Sequence, residues 1–134
     1  MVVNYDIDID LVNPGPTHRI HVKQGDVMSR CIYINLLENG EAWKVNRTVQ
    51  AVIRYCAQNT DGMVIEHGLY DTLEDGSAAY VLVGNTLSVT PIREMTAHPG
   101  LVTVDVLLVE GEKMVSTFNF ELYVHPSPNA ETGK

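Results

Sequence analysis

At 134 residues and 14.8 kDa the chain has the length of one domain, and 45% hydrophobic with 19% charged residues argues against disorder and against a disulfide-stapled miniature fold. Nine Lys+Arg against 17 Asp+Glu, a formal net charge of −8, argue against a nucleic-acid backbone as the main partner. No apolar run approaches the roughly 20 residues of a membrane span, and Met1-Val2-Val3-Asn4-Tyr5-Asp6 has neither the basic nor the apolar region of a signal peptide, so the chain is expected to be soluble and unsecreted.

Apolar and polar residues alternate in segment after segment, the period of half-buried strands. First in the chain, Tyr5, Ile7, Ile9 and Leu11 share one face while Asp6, Asp8 and Asp10 share the other. From Met28 to Leu37 the pattern sends Met28, Ile32, Ile34 and Leu36 inward; from Thr48 to Gln58 it does the same for Val49, Ala51, Ile53, Tyr55 and Ala57. Helical patterning is confined to Pro91–Ala97, where Pro91 suits a first helical position and Pro99-Gly100 ends the run. Val102, Val104, Val106 and Leu108 then share a parity with one another, as do Met114, Phe118, Phe120 and Leu122, and the two runs predict a hairpin.

Asn39-Gly40, Asp61-Gly62, Asp75-Gly76, Gly84-Asn85 and Gly111 supply the residues that tolerate positive φ at tight reversals. Short strands, frequent turns and no sustained helix predict an all-β fold, an antiparallel two-sheet β-sandwich of immunoglobulin-like type. The sandwich is expected over residues 1–125. Residues 126–134, whose only apolar side chain outside the prolines is Ala130, read as a flexible tail or linker.

Candidate chemistry is sparse, and no catalytic, cofactor or metal site is expected. Asp6-x-Asp8-x-Asp10 would align three carboxylates on one strand face, yet the calcium-loop pattern requires a Gly and a Glu where this chain has Leu11 and Thr17. His18 and His21 fall on opposite faces of an extended segment, and His67, His98 and His125 are scattered. Ser29, Ser77 and Ser116 lack a Gly-x-Ser-x-Gly elbow. Cys31 and Cys56 have the parity of the outward rows, so neither thiol points at the core and both are expected to stay reduced. The sequon Asn46-Arg47-Thr48 has meaning only in a secreted eukaryotic chain.

A series of segments resembles the amino-terminal domain of the phage upper baseplate protein family, the BppU N-terminal domain. It starts with Val22-Lys23-Gln24-Gly25-Asp26, Ser29-Arg30 and a strand closed by Glu38-Asn39-Gly40. Next come Val52-Ile53-Arg54-Tyr55, Asn59-Thr60-Asp61-Gly62 and the stretch from Tyr70 to Ser77. Pro91-Ile92-Arg93-Glu94-Met95-Thr96-Ala97-His98-Pro99-Gly100, the run from Val102 to Leu108 and Ser116-Thr117-Phe118-Asn119-Phe120 complete the series. The resemblance implies a β-sandwich adaptor in a siphophage or prophage tail tip, oligomeric in the virion and assembled in the bacterial cytoplasm. Its implied partners are the distal tail protein of the hub, other baseplate proteins and, through a further carboxyl-terminal region, a receptor-binding protein. Two other classes compete with this binding role: a carbohydrate-binding sandwich using Trp43, Tyr33, Tyr70 and Tyr123 as stacking platforms, and a small hydrolase.

Overall fold

Alternation of apolar and polar side chains does produce strands, and they stack into two sheets. The structure, a computed structural model, describes residues 3–25, 30–44 and 48–126. In chain order its elements are β1 (Val3–Asp10), β2 (Arg19–Lys23), β3 (Arg30–Glu38), β4 (Glu41–Ala42), β5 (Val49–Gln58), β6 (Val64–Tyr70), β7 (Tyr80–Val83), β8 (Thr86–Val89), α1 (Arg93–Thr96), β9 (Gly100–Glu110) and β10 (Lys113–His125). One sheet runs β1-β3-β8-β7 with β4 hydrogen-bonded to β3, and the other runs β2-β10-β9-β5-β6.

The inward rows meet between the sheets as the alternation requires. Ile32, Ile34 and Leu36 of β3 face Ile53, Val104, Val106, Leu108, Phe120 and Leu122, all essentially solvent-free. Tyr5, Ile7 and Leu11 pack at the margin of this core beside fully buried Ile9. Met95 and Thr96 of α1 are also buried, so the short helix closes one end of the sandwich.

Three expectations need correction. The sheets are mixed rather than purely antiparallel, because β1 pairs with β3 and β2 with β10 in parallel. The chain leaves the first sheet after β1, runs β2 in the second and returns as β3, so two reversals restore its direction. Met114 is exposed rather than inward. A register shift between Met114 and Ser116 inserts one residue, so Met114 pairs with the outward Val109 while Phe118 pairs with the buried Val106. The helix is one turn, Arg93–Thr96, and begins after an extended Ile92, so Pro91 precedes the cap instead of opening the helix.

The predicted turns hold. Asn39 and Gly40 both have positive φ, 51° and 83°, and the β9–β10 hairpin turns at Gly111. Gly100 answers a different demand: at φ 135° a Cβ would lie 2.1 Å from the Gln58 carbonyl oxygen, so no side chain fits where β9 begins. Met28, Ser29, Asn46, Arg47 and the tail from Ser127 to Lys134 lie outside the described residues.

Candidate interaction surfaces

The acidic strand face is built as expected, but two of its carboxylates, Asp8 and Asp10, serve internal hydrogen bonds. Asn35 Nδ2 donates to Asp8 Oδ1 at 2.9 Å, and Thr86 Oγ1 donates to Asn35 Oδ1 at 3.0 Å, giving a polar ladder across β1, β3 and β8. Asp10 accepts four backbone N–H groups: Val12 and Asn13 at 2.9 and 3.0 Å, then Asn39 and Gly40 at 3.2 and 2.7 Å. Those bonds, Asn13 and Val12 foremost, hold its carboxyl at about 2 against an ordinary 3.8. Asp10 therefore ties the Asn39-Gly40 turn to the end of β1. Among the described residues no three His, Cys, Asp or Glu side chains converge as a metal site.

The histidines separate. His18 Nε2 donates to the Asp8 carbonyl, whereas His21 Nδ1 and His125 Nε2 share a hydrogen bond of 2.8 Å. The His21 and His125 rings stack at 5.0 Å, with Tyr123 4.9 Å from His125 and the Arg19 guanidinium 5.9 Å from the Tyr123 ring. Arg19 also pairs with Glu121 at 3.1 Å. Sequence reasoning missed this cluster because its signal, equal outward parity in two segments about a hundred residues apart, acquires meaning only once β2 is paired to β10.

The other candidates do not assemble either. Cys31 and Cys56 are free, half-buried thiols in different sheets, and a Cys31 hydrogen bond raises the Tyr33 hydroxyl's pKa. Ser77 Oγ bonds the Asp75 carboxylate, which lowers the Asp75 pKa and leaves Ser77 serving its turn. The four aromatic residues form no common platform. Tyr70 is enclosed, donates to the Thr90 carbonyl at 3.1 Å and has its pKa driven far up by burial. Trp43 packs against the core, while Tyr33 and Tyr123 occupy strands of different sheets.

What stands out instead is the far margin of the second sheet. An open depression of about 630 Å³ lies where β9, β5 and β6 run side by side, lined by residues that include Val52, Arg54, His67, Leu69, Thr103 and Leu107. The Arg54–Asp105 ion pair, 3.1 Å, crosses it. Gly68 pairs with the inward Tyr55, and a Cβ there would sit 3.3 Å from the Tyr55 ring, a tight contact. Beyond the depression β6 is the last strand of its sheet, with Val64 54%, Ile65 39% and Leu69 66% exposed.

No protein-family model and no curated protein matches the chain by sequence. Among solved structures, the chain is similar to the N-terminal domain of ORF48 of phage TP901-1, at 13% identity and a TM-score of 0.54. The match covers 92% of this chain and 99% of that one, a likeness of the whole fold.

Proposed function

We propose that this chain is a structural module of a phage or prophage tail baseplate, an adaptor that docks on the distal tail protein of the hub and links it to receptor-binding components. The observation that carries the reading is the likeness, over nearly the full length of both chains, to a domain from a phage protein. The sequence resemblance to the upper baseplate family points the same way. Several of its segments have architectural roles here: Gln24 and Gly25 tie β2 to the Ala97 and Thr96 carbonyls beside α1, and Asn59 Oδ1 caps its turn by accepting from Asp61 and Met63. Such residues preserve a scaffold, and we take the module to be a binding protein rather than an enzyme.

Native mass spectrometry of the chain mixed with the distal tail protein of the same phage tests the reading. A complex of defined stoichiometry is expected. Absence of a complex, together with selective binding to a glycan array, would replace the adaptor reading with a carbohydrate-binding one.

A further inference from the structure

The margins of the two sheets are guarded unequally. β1 turns Asp6, Asp8 and Asp10 outward, β2 carries Arg19, His21 and Lys23, and β7 is only four residues long. Charge and shortness are the usual protections of an open strand edge. β6 has seven residues, its apolar Val64, Ile65 and Leu69 are solvent-exposed, and Leu69 lines the depression. Its backbone pairs with β5 on one side and with no other strand among the described residues.

The segment that contains β6 is acidic, and the nearby Arg54 is already paired with Asp105. From Gln58 to Ala79 the sequence contains Asp61, Glu66, Asp71, Glu74 and Asp75 and no lysine or arginine. Glu74 is matched by Arg93 at 3.2 Å, while Glu66, exposed at the edge, has the parity of the inward Gly68 and Tyr70. A carboxylate in that position repels a second copy of the same strand and favours a cationic one.

We propose that β6 is a strand-addition site, taking an extended segment of a partner protein in which apolar residues alternate with lysine or arginine. Backbone hydrogen bonds along β6 supply the pairing, the apolar side chains settle over Leu69 and the depression, and the cations meet Glu66 and its acidic neighbours. This rests on the adaptor reading for its biological setting, the partner then being the hub protein; the physical site is testable without it.

The test is an NMR titration of the full chain with a peptide of about ten residues alternating valine and lysine, beside a valine–glutamate peptide of equal length. Shifts confined to Val64–Tyr70 and β5, with the cationic peptide only, are expected. The double variant Glu66→Lys, Leu69→Lys should weaken binding at least about tenfold, whereas Val83→Lys on β7 should leave it unchanged. Shifts elsewhere, equal response to the anionic peptide, an unaffected double variant, or β6-mediated self-association that excludes the peptide would each overturn the proposal. Failure to bind the hub protein alongside a positive titration would instead remove the adaptor reading and leave the strand-addition site standing.

Discussion

The two sides of the sandwich are finished to different degrees. On the β1/β2 side, polar groups stitch the sheets together: the Tyr5 hydroxyl donates to the His21 carbonyl at 2.9 Å, and His18 donates to Asp8 at 2.9 Å. Asp10 adds a clamp on the neighbouring turn, and both edge strands present charge. On the β6 side a side-chain bond, from the Tyr70 hydroxyl to the Thr90 carbonyl at 3.1 Å, reaches toward the other sheet, and beyond it apolar side chains stand in solvent beside an open depression. The contrast separates a margin built for stability from one whose exposed surface adds little to it, and surface of the second kind is what a partner can cover.

That contrast can be broken by mutation. The largest effect should come from the core that both sides share: Ile53→Ala, at a position with no solvent exposure, is expected to cost about 2–4 kcal/mol in urea melts. Thr103→Ala, on the outward row of β9, should stay within about 0.5 kcal/mol. An inverted ranking would mean the two faces had been exchanged.

Next in size is the polar seam itself. Tyr5→Phe removes the hydroxyl bonded to the His21 carbonyl and should cost about 1 kcal/mol. If it costs nothing, the β1/β2 side is not stitched by that bond.

Asp10 sharpens the comparison through pH. Its folded-state pKa, about 2, lies below the ordinary 3.8, so its contribution is fully present above the latter and is lost as pH falls through the former. Asp10→Asn should therefore lower stability at neutral pH, and its deficit against the natural chain should shrink between about pH 4 and pH 2. A deficit independent of pH in acid titrations would assign the loss to something other than the carboxylate.

The smallest effect belongs to the open margin. Leu69→Ala, at a residue 66% exposed, should change stability by less than about 0.5 kcal/mol. A cost approaching that of Ile53→Ala would show that this surface is part of the core, and the contrast between the sides would collapse.

The inward rows of β1, β3, β5 and β9 were legible in the sequence because alternation is a local property: one buried face per strand forces a period of two wherever the sheet has a wet side. The turns were legible for a similar reason, since positive φ restricts which residues can occupy them. β6 was not, because Val64-Ile65-Glu66-His67-Gly68-Leu69-Tyr70 is wet on nearly every side chain and so has no pattern to read. The bulge that turns Met114 outward escaped because one inserted residue reverses parity without altering composition. The sequence by itself determined which side chains are buried in most strands and where the chain reverses. Tertiary structure alone decided that β1 and β2 run parallel to their neighbours, that His21 meets His125, and that β6 ends its sheet. Those outcomes depend on which distant segments lie side by side, and local periodicity carries no information about that.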